Sequence, residues 1–165
     1  MVLAVKEVDW DKEWLKCHLS FTYFIVTYGR IRDADLGIIP FTPYPHLINS
    51  AKAIQKHLLV IALKSRQIGW TWLMAHLALW TALFHQGAKV IIFSKSEEAA
   101  NETLACSRFT IWENLPAPLR TPLGRDQSSL VTFPSLDSQM RALSTTKTSG
   151  IGFGDASLLI VDEFD

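Results

Sequence analysis

Cysteine is nearly missing from this sequence, which has only Cys17 and Cys106. Two widely separated thiols form neither a metal-ligand cluster nor a disulfide framework, and they suit a reducing compartment. The five histidines are just as scattered, with no spacing that would gather a metal. Of these, His76 sits in an apolar stretch and reads as packed or capping. An excess of one charge is also lacking. Sixteen Lys and Arg balance sixteen Asp and Glu, so no global basic field attracts nucleic acid. A DNA contact would have to be a local patch, with Arg120, Arg125, Arg141 and Lys147 as candidate members. Taken singly, each is a solvated surface charge. The first fourteen residues have no signal-peptide core. The most apolar stretch, 68–84, falls short of a membrane span and is expected to be a buried helix. There is no internal repeat and no low-complexity segment.

What is present suffices for a core. Hydrophobic residues make up 48% of the 165 and charged residues 19%, too apolar for disorder and enough for one sizeable α/β domain. Trp14, Cys17, Phe21, Phe24 and Ile25 recur at helical spacing and predict a helix over 10–28. The proline-rich 38–45 is expected to be a loop, 48–57 a short helix and the apolar run 58–63 a buried strand. A buried helix follows over 72–80, Gly87 stops it, and 88–94 forms a second strand. Ser96 as N-cap, with Glu97 and Glu98 in the first turn, opens a helix over 96–113. Its stripe of Ala99, Leu104, Phe109 and Trp112 reads as core. Beyond Pro116 and Pro118, the alternating 130–133 and 139–143 predict a hairpin around 134–137, and 156–161 a last strand. The Gly150-x-Gly152-x-Gly154 run lacks a strand before it and a helix after it, so it reads as a flexible turn.

Two segments carry the chemistry. Lys64-Ser65-Arg66-Gln67-Ile68-Gly69-Trp70-Thr71 lies between the 58–63 run and the following helix. A tight polar loop there aims free backbone N–H groups and the helix dipole at one spot, which makes an anion cradle. Leu158-Leu159-Ile160-Val161-Asp162-Glu163 is an apolar strand ending in two carboxylates, an arrangement that places acids beside a metal. Against the phosphate-loop pattern G-x-x-x-x-G-K-[ST], Gly69 and Thr71 hold the second Gly and the hydroxyl positions. Lys64 stands at the first Gly, and Trp70 where the Lys would be. A polyphosphate needs cations near the transferred group, and Lys64 and Arg66 are the local ones. Alone, Lys64 also fits a solvent-facing strand end, and Asp162 and Glu163 a strand end meeting water.

Lys64-x-Arg66-Gln67-x-Gly69-x-Thr71 followed by Trp72 resembles the deviant phosphate loop of the large terminase subunits of tailed bacteriophages. These are ATP-driven DNA-packaging motors, and some carry their lysine at the front of the loop. The likeness extends to Tyr23-Phe24-Ile25 with Tyr28, to Ile39-Pro40-Phe41 with Tyr44, and to Val90-Ile91-Ile92-Phe93-Ser94. Trp112-Glu113-Asn114-Leu115-Pro116, Leu143-Ser144-Thr145-Thr146 with Gly150 and Gly152, and Ile160-Val161-Asp162-Glu163 continue it. It covers most of the chain from about Phe21 onward.

The resemblance implies a three-layer P-loop NTPase core of the additional-strand type, with a mostly parallel sheet, truncated after the Asp-Glu strand. Residues 1–57 would be a helical lead-in and adenine-side loop, and 58–165 a partial ATPase core. It implies ATP and Mg²⁺ as cofactors. Thr71 and Asp162 would hold the metal, and Glu163 would activate the attacking water. Lys64 and Arg66 would stabilise phosphate charge, and the loop through Ser65, Gln67, Ile68, Gly69 and Trp70 would wrap the phosphates. Tyr44 would stack on the base, although it equally fits a buried aromatic in its Pro-Tyr-Pro turn. Where the family often has an adenine-reading glutamine, this chain has Leu47, flanked by His46 and Asn49, so base specificity is left open.

The implied partners are double-stranded DNA, a portal protein, a small terminase subunit and further copies in a ring on the portal. The implied place is the cytoplasm of the infected bacterial host, with no membrane. A helicase-like ATPase of the same broad fold is an alternative, and would need a second ATPase-like domain downstream. A truncated or degenerate nucleotide binder without turnover is another, favoured by Trp70. In the resembled fold a further strand lies between the loop strand and the Asp-Glu strand, and a nuclease domain follows later. Both are expected beyond residue 165. The isolated 165-residue chain is accordingly expected to release little or no phosphate from ATP, and robust steady-state turnover would contradict this.

Overall fold

The computed structural model describes residues 8–65, 67–144 and 154–162. Ser20 divides the helix expected over 10–28. Asp9 caps α1 (Trp10–Leu19) by accepting from the Lys12 N–H, and extended backbone at Ser20 ends it. The Ser20 hydroxyl then caps α2 (Phe21–Tyr28), accepting from the Tyr23 N–H at 3.0 Å. Glu13 clamps the two helices, its Oε2 accepting from the hydroxyls of Tyr23 and Tyr28 at 2.7 and 2.8 Å.

The stretch expected as a loop over 38–45 begins as a strand. β1 (Arg30–Asp33) and β2 (Gly37–Pro40) form an antiparallel hairpin. Asp33 closes its turn by accepting from the N–H groups of Asp35 and Leu36, an Asx turn that hydrophobic periodicity does not show. Next comes α3 (Pro45–Lys56), with Pro45 in the first turn, where its missing N–H has no partner to lose.

A five-stranded sheet carries the rest. Its centre is β3 (Lys89–Ser94), parallel to β6 (Ser138–Ser144) on one side and β7 (Leu158–Asp162) on the other. β5 (Leu130–Phe133) runs antiparallel to β6, and the short β4 (Asp126–Gln127) antiparallel to β5. The order is β4-β5-β6-β3-β7. The expected hairpin is therefore present, turned by a 3-10 segment at Pro134–Leu136 and by Asp137 in the left-handed region. The sheet is mixed, in place of the mostly parallel sheet expected.

The 58–63 run corrects a further expectation. It forms no strand and pairs with nothing among the described residues. Leu58 and Leu63 are fully exposed, and Leu59 and Ile61 nearly so. An apolar run marks what could be buried, but a strand needs a neighbour to take its N–H and C=O groups. β7 pairs with β3 along one edge only, and its other edge has no strand among the described residues.

The core is built around α4 (Trp70–Phe84), which packs on β3, β6 and β7 and also on α1, α2 and α3. Buried from both sides, it has no need of a polar stripe, and its sequence shows none. α5 (Glu97–Ala105) lies beside it on β3 and β6. Cross-strand register puts Val90, Ile92, Met140, Ala142 and Ile160 on one sheet face, and all five belong to the buried cluster shared with α4. On the other face, Leu159 and Val161 are exposed. The layers thus run from sheet to α4 and α5, then to α1–α3. The helix expected over 96–113 loosens after α5 into a π-helical turn at Cys106–Ile111 and a 3-10 turn at Trp112–Asn114.

His76 is the buried polar group of α4. Its Nδ1 lies 2.6 Å from the Trp72 carbonyl, and its Nε2 3.2 Å from the Arg30 N–H. A carbonyl only accepts and an amide N–H only donates, so the ring is neutral with its proton on Nδ1. It stacks on Phe41 at 4.9 Å. Gly29 makes room for it. A Cβ there would come within 2.2 Å of the Ile25 carbonyl oxygen and 3.1 Å of His76 Nε2. Burial pushes the imidazole pKa down from 6.5 to about 4. The unfolded chain takes up this proton below about pH 6.5 while the folded chain refuses it until about pH 4. Stability is therefore lost as pH falls through that window, by up to about 3 kcal/mol at 1.36 kcal/mol per unit. His76→Gln, whose amide can also donate and accept, is expected to flatten the pH slope of the unfolding free energy between about pH 7 and pH 5. An unchanged slope would remove His76 as its source.

Candidate functional site

Two residues with positive φ shape the loop ahead of α4: Gln67 at 60° and Gly69 at 80°. Left-handed positions of this kind turn successive N–H groups toward one side and form an anion-binding concavity. α4 begins at Gly69 without a side-chain cap, so its first-turn N–H groups and positive dipole end face the loop. Thr71 sits in this first turn and is exposed.

Across from the loop stands α3. His46, Asn49, Ser50 and Ala53 form one stripe of that helix. Together with residues 60–65, Ile68 and Trp70 they line an open cleft of about 660 Å³. A 3.2 Å hydrogen bond from His46 Nε2 to the Ile68 carbonyl ties α3 to the loop. Tyr44 stacks on His46 with ring centroids 5.6 Å apart and planes 12° from parallel. At 64% exposure Tyr44 is no buried turn aromatic. Leu47, where the resemblance expects a glutamine, is buried, so it presents nothing to a base. Asn49 is exposed on the cleft wall and makes no side-chain hydrogen bond among the described residues.

One contact joins the two segments singled out in the sequence. Lys64 Nζ lies 3.2 Å from Asp162 Oδ1, with the side chains 23% and 15% exposed. Neither is a strand end dangling in water. Ser65, Ile68 and Trp70 share the cleft with Lys64, while Tyr44 stands beside it through His46. Gln67 is exposed on the loop. Thr71 and Asp162 share no hydrogen bond among the described residues. Arg66 and Glu163 lie outside the described residues, as do Thr145, Thr146, Lys147, Gly150 and Gly152.

A divalent ion fits beside Asp162 in one respect: the position next to its carboxylate already receives a cation, the Lys64 ammonium. Among the described residues no group of three or more His, Cys, Asp or Glu could hold a metal unaided. An ion there would complete its shell with phosphate and water oxygens, the usual habit of Mg²⁺.

A second polar cluster escaped the sequence reading. The Arg108 guanidinium reaches Asp126 at 3.0 and 2.7 Å and Glu113 at 2.6 Å, and lies over the rings of Phe109 and Trp112. Arg120 also covers Trp112 and donates to the Glu113 carbonyl. Acids answer the charge of Arg108, and Arg120 is committed to this surface, so neither extends a basic patch. Arg125 precedes β4 and Arg141 lies on β6. Only the spacing of Arg108 and Trp112 along a helix hinted at their stacking.

No family model matches this chain, and no curated protein sequence matches it. No helix among the described residues is long and apolar enough to cross a membrane.

A Cβ on Gly69 would meet Leu47 Cδ1 at 3.2 Å, whereas one on Gly87, at a φ of 72°, would meet nothing within 4 Å. Both glycines pay the same left-handed strain on substitution, about 1 kcal/mol. Gly69→Ala is therefore expected to lower the unfolding midpoint more than Gly87→Ala. Equal losses would show that the Leu47 contact carries no energy.

Proposed function

We propose that this chain binds magnesium-chelated ATP in the cleft between α3 and the 64–71 loop and hydrolyses it. On the family resemblance, it does so as the ATPase part of a terminase-type motor that drives double-stranded DNA into a capsid. The observation carrying the nucleotide reading is the Lys64–Asp162 contact, which sets a strand-end carboxylate beside a loop cation that lines the cleft. The uncapped N–H groups of α4 would take phosphate oxygens, with Lys64 and Arg66 balancing their charge. Asp162 and the Thr71 hydroxyl would hold Mg²⁺, which when bound supplies Lewis-acid stabilisation of the transferred phosphoryl group. Glu163, next to Asp162 in sequence, would orient the attacking water. The Tyr44–His46 stack offers a face to the base, and Asn49 a donor and an acceptor to its edge. Double-stranded DNA, the portal protein, the small terminase subunit and ring assembly belong to this reading through the resemblance alone.

A second reading, nucleotide binding without turnover, is favoured by the 58–63 run, which among the described residues forms no strand behind the loop.

Titration with a fluorescent ATP analogue and Mg²⁺ tests the nucleotide reading. Lys64→Ala is expected to weaken binding about 10- to 100-fold, the worth of one charge-assisted hydrogen bond. Glu163→Gln is expected to leave binding intact while removing whatever phosphate release the chain shows. Absence of Mg²⁺-dependent ATP binding by the unaltered chain would end the proposal.

A further inference from the structure

We infer that the Lys64–Asp162 ion pair is an internal latch that makes the site select metal-chelated triphosphate over free triphosphate or free metal. The inference rests on the nucleotide reading above and assigns the pair a role that neither residue has alone. The ammonium of Lys64 stands 3.2 Å from Asp162 Oδ1, with both side chains largely withdrawn from water. In this arrangement each group occupies the other's ligand position. Lys64 fills the cation place beside the carboxylate, and Asp162 neutralises the cation that phosphate requires.

The consequence follows from competition. A divalent ion arriving alone must displace an ammonium from Asp162 and leave that ammonium unpaired. A triphosphate arriving alone must pull Lys64 away and leave a half-buried carboxylate unpaired, facing the incoming anion. Both losses are uncompensated. When the two arrive together, the ion takes Asp162, the phosphates take Lys64, and every charge has a partner. The latch thus penalises each half-ligand and leaves the complete one untaxed. The loop geometry allows this exchange. Lys64 lies outside any helix or strand, so its side chain can swing without breaking a ladder bond, whereas Asp162 is fixed by the pairing of β7 with β3.

The test exploits an inverted sign. If the two residues were only independent ligands, removing Asp162 would leave metal-free ATP binding unchanged, and removing Lys64 would leave binding of a metal ion alone unchanged. With the latch, Asp162→Asn frees Lys64 and is expected to tighten ATP binding in EDTA about fivefold, while weakening binding of Mg²⁺·ATP. Lys64→Met is expected to tighten binding of Mn²⁺ alone, read by its paramagnetic resonance signal, by a similar factor. A third measurement needs no variant: saturating Mg²⁺ alone should raise the rate at which an amine-acylating reagent labels Lys64, and Mg²⁺·ATP should lower it. Unchanged or weaker metal-free ATP binding by Asp162→Asn overturns the latch, and so does Lys64 labelling indifferent to Mg²⁺. If the unaltered chain binds Mg²⁺·ATP while those signs fail, only the latch falls. If it binds no nucleotide under any condition, the nucleotide reading falls and takes the latch with it.

Discussion

A helix buried on every side must have its few polar groups answered by its neighbours, and α4 shows how that requirement organises the molecule. Four neighbours bond to it directly. The N–H of Arg30, at the start of β1, donates to His76. From within α4, Trp80 Nε1 donates to the Cys17 carbonyl of α1 at 2.6 Å. Ser107 of the π-helical turn donates to the Ala75 carbonyl at 2.8 Å, and Ser138 of β6 to the Ala82 carbonyl at 2.6 Å. Each such bond contributes about 1 kcal/mol net, but each would cost more if broken in the dry interior. Together they fix the axis of α4, and with it the direction in which its N-terminus points at the loop.

The other wall of the site is held by far weaker means. Residues 57–65 have no regular structure, and few polar contacts tie this side of the cleft to the body. The described ones are the Lys64–Asp162 pair and the His46 bond to the Ile68 carbonyl. A site with one rigid wall and one tethered by charge can admit a ligand by local rearrangement while the core stays packed. The contrast has a simple origin: α4 is stabilised by burial, which acts on many side chains at once, while among the described residues the loop is tied by two polar contacts.

Much of this was legible in the residues. The all-round apolar sequence of α4, the alternation of 130–133 with 139–143, the caps at Ser96 and the run ending at Asp162 each mapped onto the element they implied. Local chemistry decided these cases. What failed was decided elsewhere. Ser20 looked like one more helical residue until its hydroxyl proved to cap the helix that follows. The β1–β2 hairpin lacks alternating apolar residues and is closed by an Asp33 side chain. The 58–63 run has the composition of a buried strand, yet no sequence shows whether a neighbour will be there. Of the site, Lys64 and Asp162 were named from motif spacing and His46 and Asn49 as flanks of Leu47, but their alignment with Ser50 in one stripe across the cleft from Lys64 emerged only once α3 was placed.

The outer edge of β7, which no strand covers among the described residues, carries a further implication. That edge presents a row of backbone donors and acceptors, and Leu159 and Val161 project outward beside it. Two molecules approaching along that margin would satisfy each other's main-chain groups and merge their sheets into one, since β-strands recruit whatever extended chain they meet. Where that edge stays uncovered, crowding sets a ceiling on how densely this polypeptide can be kept as single molecules, and the same margin is where another strand would find its template.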